Sequence, residues 1–118
     1  MKFILSCLTI LVLSIQTVNL VDVRASYKLA AQDKMQIDSF SDMMQGITKK
    51  DNVALVAYKG ASLALQAKYA KTIKEKKEGF LNGVNYIEFS IEKKPNAIEP
   101  RFVRLSIQEN APKILKYR

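Results

Sequence analysis

The chain of 118 residues contains no histidine, no tryptophan and a single cysteine, Cys7. Histidine is the side chain that most often transfers protons near neutral pH, and zinc sites commonly need histidine or cysteine. A lone cysteine also excludes a disulfide within the chain. The sequence therefore predicts a protein that is not an enzyme, with no cofactor, no metal ligands and no catalytic residues.

Strand-like alternation of apolar and polar residues is also missing. The apolar residues instead recur at steps of three and four, which is typical of helices with one buried face. We therefore expect an all-α fold of antiparallel helical hairpins, with about four helices forming a single domain over residues 26–118. A chain of this length has room for only one core.

The N-terminus carries an uncharged, mostly apolar run, Phe3 to Val21, preceded by Lys2. A basic start, an apolar core and small residues before a cut are the features of a secretory signal. We predict a signal peptide over residues 1–25 with cleavage after Ala25, and an alternative cleavage region from Ser14 to Asn19. The protein is then secreted or periplasmic. The run approaches the roughly twenty residues of a membrane span, so the alternative is an uncleaved membrane anchor.

Basic residues exceed acidic ones, with 19 Lys and Arg against 11 Asp and Glu and a net charge of +8. Residues 1–25 hold two basic residues and one acidic residue, so cleavage leaves a charge of +7. Such a surface attracts anionic lipid headgroups, acidic glycans or nucleic acid, and export makes nucleic acid the least natural of these partners. Solubility alone is the alternative explanation of the charge.

Four helices are predicted after a polar lead-in, Ser26–Gln32, that is expected to fray. The first three cover residues 34–49, 53–72 and 77–93, and the fourth runs from Asn96 or Glu99 to Asn110. The predicted core-facing residues of the first helix are Met35, Phe40, Met43, Met44 and Ile47, and those of the third are Phe80, Leu81, Val84, Tyr86, Ile87, Phe89 and Ile91. The fourth helix continues through the apolar residues Phe102, Leu105 and Ile107.

The second predicted helix contains a stripe of residues with almost no side chain. Its members recur at helical steps and are Ala57, Gly60, Ala61, Ala64 and Ala67. Such a stripe lets a neighbouring helix approach closely. A membrane-spanning pair would use the same pattern, but the polar residues of this segment argue against a span.

The spacing of Gly83, Ile87, Ser90 and Pro95 is similar to that of the second helix of a tetratricopeptide repeat. The chain also resembles an uncharacterised family of small exported proteins of Bacteroidota. The residues that carry this resemblance lie between Val53 and Tyr117 and include Tyr58-Lys59-Gly60-Ala61, Ala67-Lys68-Tyr69-Ala70, Arg101-Phe102 and Arg104-Leu105-Ser106-Ile107-Gln108. The resemblance implies tetratricopeptide-like helical pairs and no assigned activity. Pro100 departs from the family pattern, and the relatives continue into a further helix.

Two basic residues of the fourth predicted helix, Arg101 and Arg104, share one face. Together with Lys68 and Lys71 they form the predicted ligand or partner groove, which would accept a carboxylate or phosphate. Dispersed surface charge is the alternative.

Two carboxylate pairs, Asp38 with Asp42 and Glu88 with Glu92, are each one helical turn apart. Such a pair can share a proton or a hard cation, but apolar neighbours point the other way, so a solvated polar face is preferred.

These observations predict an exported helical module that binds or scaffolds another protein of the cell envelope. The alternative is a peripheral binder of anionic lipid or glycan that uses the five lysines between Lys68 and Lys77. The sequence gives neither the partner nor the oligomeric state.

Overall fold

The computed structural model describes residues 18–111 and residue 117, and this part of the chain contains helices and no strands. The elements are α1 (Leu20–Gln32), a 3-10 turn (Lys34–Gln36), α2 (Ile37–Met44), α3 (Val53–Lys68), α4 (Ile73–Lys93) and α5 (Ile98–Asn110). The predicted all-α class is confirmed. Five α-helices rather than about four lie in the described residues. Most of the predicted signal peptide, including Cys7, lies outside them.

Helix α1 was not expected, because its first half falls within the predicted signal segment. The side chain of Asn19 caps it by accepting a hydrogen bond from the backbone N–H of Val21 at 2.8 Å. Val23, Tyr27 and Ala30 follow at helical steps and are all buried. The prediction of a frayed lead-in at Ser26–Gln32 is therefore wrong, since these residues continue a helix whose inner face packs on the core.

The first predicted helix, residues 34–49, is shorter than expected. Its start is a 3-10 turn capped by Asp33, and α2 ends at Met44, where the Lys59 ammonium donates to the Met44 carbonyl at 3.3 Å. Phe40 and Met44 are fully buried, as predicted, but Met35 is 85% exposed. The 3-10 turn changes the angle between successive residues, and this places Met35 outside the apolar face of α2.

Helix α3 is the centre of the fold and contacts each of the other helices. The predicted small-residue stripe is buried along its whole length. Gly60 lies against Gly83 of α4, and Ala67 lies against Gly79, so the two helices run in opposite directions. At Gly60 and Gly83 the absence of a side chain allows backbone to meet backbone, and at Gly79 it leaves room for the Ala67 methyl group.

Helix α4 begins at Ile73, four residues before the predicted start, because Thr72 caps it by accepting from the Glu75 N–H at 3.1 Å. Lys74 to Glu78 is consequently its first turn. Phe80, Ile87 and Ile91 are buried as predicted. Leu81 is 59% exposed, so its assignment to the core is wrong.

Helix α5 begins at Ile98, and Asn96 is not its cap. Pro100 is buried in the first turn, where a missing N–H removes no intrahelical bond. Val103 and Ile107 are buried, whereas Phe102 and Leu105 are exposed. None of the helices in residues 18–111 has the length and hydrophobicity of a membrane span.

Candidate functional site

Two depressions lie beside α1 and α5 in the described part of the chain. The first, here called the α1–α5 groove, is open and has a volume of about 780 Å³. The second, the inner cavity, lies between α1, α3, α4 and α5 and has a volume of about 240 Å³. Tyr27 and Ala31 line both, so the two depressions adjoin along the same side of α1.

An ion pair closes one end of the α1–α5 groove. Arg24 donates from Nε and Nη2 to the two carboxylate oxygens of Glu99, each at 2.7 Å, and the Tyr58 hydroxyl donates to Glu99 Oε2 at 2.7 Å. The hydrogen bond from Arg24, aided by that from Tyr58, holds the pKa of Glu99 below its ordinary value. Burial, together with the bond to Glu99, raises the pKa of Tyr58. The carboxylate thus ties α1, α3 and α5 together.

A second polar contact lies deeper in the groove. The hydroxyls of Tyr27 and Ser106 are 2.6 Å apart, and burial raises the pKa of Tyr27. The Tyr27 ring also packs against Phe40 and Tyr58, with centroid distances of 5.6 and 5.4 Å. Aromatic packing on one side and a hydrogen bond at the tip fix this side chain, so the groove has a rigid floor.

The outer face of α5 carries a row of exposed apolar side chains. Ile98 is 82% exposed, Phe102 57% and Leu105 55%. At 100° per residue these three positions lie within one narrow sector, opposite the sector that holds the buried residues Val103 and Ile107. Helix α5 is therefore apolar on two opposite faces, and only the inner one is covered by described residues. We call Ile98, Phe102 and Leu105 the outer row.

Neither of the two depressions is lined by all four basic residues of the predicted groove. Arg104 donates to Glu88 of α4 at 3.1 Å, and Arg101 donates to the Pro95 carbonyl at 2.9 Å. Lys68 lines the inner cavity, and Lys71 is exposed beyond the end of α3. The arginines are thus engaged with the α4 side and with the loop before α5.

The predicted carboxylate pairs have ordinary surroundings. Asp38, Asp42 and Glu92 are exposed, and Glu88 accepts from Arg104 and also from the Tyr117 hydroxyl at 2.6 Å. Within the described residues no group of three potential ligands is arranged to hold a metal ion. The preference for a solvated face agrees with the exposure of Asp38 and Asp42.

Sequence reasoning missed the residues that build the α1–α5 groove. The sequence pattern places Arg24 in the predicted signal peptide and indicates Glu99 only as a helix start. Their ion pair joins positions 75 residues apart, so it cannot be predicted from local spacing in the sequence. One feature of the sequence does indicate this site. Ile98, Phe102 and Leu105 follow one another at steps of four and three residues, which places them on a second apolar face of α5.

The depressed pKa of Glu99 predicts an acid-sensitive contribution to stability. A carboxyl whose pKa is lower in the folded than in the unfolded chain stabilises the fold above its unfolded pKa, and the contribution is lost as pH falls through the folded value. Glu99→Gln should lower the free energy of unfolding by about 1 kcal/mol at pH 7, because the pair with Arg24 is partly exposed. Urea unfolding should be measured at several pH values from 7 to 2. The stability difference between the two proteins should shrink as the pH falls below 4.5, the ordinary pKa of a glutamate. The exposed Glu92→Gln variant is the control, and a difference that persists unchanged to pH 2 would contradict the electrostatic origin.

In comparisons with known proteins, no family model, curated protein or solved structure matches this chain.

Proposed function

We propose that the protein is an exported, non-catalytic helical module that binds a partner protein of the cell envelope along the outer row and the adjoining α1–α5 groove. The observation that carries this proposal is the exposure of Ile98, Phe102 and Leu105 opposite the buried face of α5. A surface helix of a small domain normally has one apolar stripe, and a second stripe indicates a second packing partner.

The groove extends the outer row into a surface with both apolar and polar parts. Ile98 and Phe102 form one side, and Lys28 and Ala31 of α1 form the other. Apolar anchors beside a groove with fixed polar groups are what an amphipathic helix requires of its binding site. The rigid floor at Tyr27 favours this use, since a preformed groove loses little conformational entropy on binding.

Charge favours an acidic partner over a second copy of the chain. Two copies of the processed chain would each bring a net charge of +7, which opposes their association. Lys28 and Arg101 are exposed beside the site, with Glu109 at the far end of α5 as the one nearby exposed carboxylate on that helix. We therefore infer an occupant with apolar residues at positions i, i+4 and i+7 and carboxylates on the flanks.

The tetratricopeptide-like interpretation belongs to the same proposal. The opposed direction of α3 and α4 and the close contact at Gly60 and Gly83 support a helical pair of that kind. Export is proposed from the basic and apolar N-terminus, with membrane attachment as the alternative if that segment is retained.

A synthetic peptide provides the test. A helical peptide with leucines at i, i+4 and i+7 and flanking glutamates should bind, and a version with lysines in place of the glutamates should bind about ten-fold more weakly. Phe102→Ser should weaken binding of the acidic peptide by about ten-fold, because it removes the central apolar anchor. Titration of the isotopically labelled protein by NMR measures both affinities and maps the contact.

Leu81→Ser is the matched control, because Leu81 is 59% exposed against 57% for Phe102 and lies on α4 away from the groove. It should leave the affinity unchanged. Equal binding of the two peptides, or equal losses in the two variants, would rule out the proposed site. Concentration-dependent dimers that are abolished by Phe102→Ser would identify a second copy as the occupant instead.

A peripheral role at anionic lipid or glycan is the alternative proposal. It is favoured by the exposure of all the lysines between Lys68 and Lys77 around one end of the α3–α4 pair. Glu75 and Glu78 are interleaved with them and reduce the local charge. The outer row plays no part in that alternative, and for this reason protein binding is the preferred function.

A further inference from the structure

The inner cavity has an apolar interior. Ala64, Leu65 and Ala67 of α3 form one wall, and Phe80 and Ile107 close it from α4 and α5. All five are buried, yet the described residues leave about 240 Å³ between them and α1 unfilled. An apolar cavity of about 150 Å³ is enough to admit benzene, so this space accepts a short hydrocarbon chain.

The rim of the same cavity is cationic. Lys68, Lys76 and Lys77 line it and are exposed, whereas no aspartate or glutamate is among its lining residues. The ion pairs formed within the described residues are Arg24–Glu99 and Arg104–Glu88, and neither involves a lysine. The three lysines that line the cavity therefore lack a carboxylate partner among the described residues.

We propose that the inner cavity binds a single-chain anionic amphiphile, with the hydrocarbon chain among Ala64, Leu65 and Ile107 and a carboxylate headgroup at Lys68, Lys76 and Lys77. The apolar wall removes the chain from water, and the lysines compensate the charge that remains at the opening. This ligand is distinct from the acidic partner helix, because a cavity between four helices holds a narrow chain and not a helix about 10 Å across. The site is independent of the outer row.

The probe is decanoate, titrated into the purified full chain and followed by NMR. Saturable binding is expected, with shifts at Ala64, Leu65 and Ile107. Decyltrimethylammonium has an equally long chain but a cationic head, and it should bind at least about ten-fold more weakly. Butyrate carries the same headgroup on a short chain, and it should not bind measurably because it buries little apolar surface.

Two sets of variants locate the site. The combined change Lys68→Gln, Lys76→Gln and Lys77→Gln should weaken decanoate binding by about ten-fold. The combined change Lys50→Gln, Lys93→Gln and Lys94→Gln removes the same total charge from exposed positions at the opposite end of the α3–α4 pair and should have less than about a two-fold effect, since exposed charges beyond about 10 Å are screened at 0.1 M salt. Ala111→Phe adds bulk at the partly exposed edge of the cavity and should compete with the chain.

Each contrary result has a definite meaning. Equal binding of decanoate and decyltrimethylammonium would overturn the role of the lysines, and unchanged binding in Ala111→Phe would overturn the location. Both triple lysine variants should also be tested with phosphatidylglycerol vesicles. If both bind the vesicles more weakly than the unchanged protein, and by the same factor, the basic residues act at a membrane surface instead. Decanoate binding that appears only after removal of residues 112–118 would identify the chain's own end as the occupant.

Discussion

Replacing Gly60 with alanine is expected to lower the free energy of unfolding by about 2 kcal/mol or more, although alanine is the better helix former. A Cβ atom at this position would collide with the carbonyl oxygen of Gly83 and would lie 2.7 Å from Ile87 Cγ1. The oxygen belongs to the backbone of α4, so it cannot turn away as a flexible side chain does. Relief requires that α3 and α4 separate along their whole contact.

The size of the effect follows from two opposing contributions. Alanine in place of glycine stabilises a helix interior by up to about 1 kcal/mol. Overpacking a tight core typically costs about 1 to 3 kcal/mol, and more when backbone must move. Because α3 contacts all the other helices, separating it from α4 also disturbs their packing. The combined Gly60→Ala and Gly83→Ala variant is expected to be unfolded at room temperature.

Two other glycines provide a graded series of controls. No atom lies within 4 Å of a Cβ built on Gly46, so Gly46→Ala should be neutral or stabilise the chain by a few tenths of a kcal/mol to about 1 kcal/mol. A Cβ on Gly79 would lie 2.9 Å from the Ala67 Cβ, and Gly79→Ala should fall between the two. Urea unfolding followed by circular dichroism gives the order. A Gly60→Ala variant as stable as Gly46→Ala would show that α3 and α4 are not in backbone contact.

The parts of the fold that could be predicted from the sequence are those encoded by local spacing. The small-residue stripe of α3 and the row Phe80, Ile87 and Ile91 each recur at helical steps, and the structure buries them. Helix caps were harder to predict, because several residues near each start can serve. Thr72 rather than a later residue caps α4, and Ala97 rather than Asn96 directly precedes α5.

The site could not be predicted in the same way, because its residues come from distant segments. Tyr58 and Glu99 are 41 positions apart, and Tyr27 and Ser106 are 79 apart. The charge pattern of the sequence predicts that Arg101 and Arg104 line one groove with Lys68. In the structure Arg104 donates to Glu88 on α4, and Lys68 lines the inner cavity. Helical spacing identifies residues on one face of a helix, and tertiary packing decides what that face meets.

We expect the proposed export to leave an N-terminus at or before Asn19, within the alternative cleavage region, and not after Ala25. Cleavage after Ala25 would leave only Ser26–Gln32 of α1 and would remove the fully buried Val23 together with the cap at Asn19. It would also remove Arg24 and leave Glu99 without its ion-pair partner. The measurement is the intact mass of the protein recovered from outside the cytosol.

Paired substitutions in a chain that begins at Asn19 test whether α1 belongs to the folded domain. Val23→Asp should lower the free energy of unfolding by about 3 kcal/mol or more, since it places an unpaired carboxylate at a position with no exposure. The control is Val21→Asp, which makes the same substitution on the same helix. Because Val21 is 65% exposed, the change in the free energy of unfolding should stay within about 0.5 kcal/mol. Equal stability of the two variants, together with a mass that begins at Ser26, would mean that the mature domain is built without α1. The α1–α5 groove would then be lost as a binding site, because Arg24 would be missing and one of its walls would lack support.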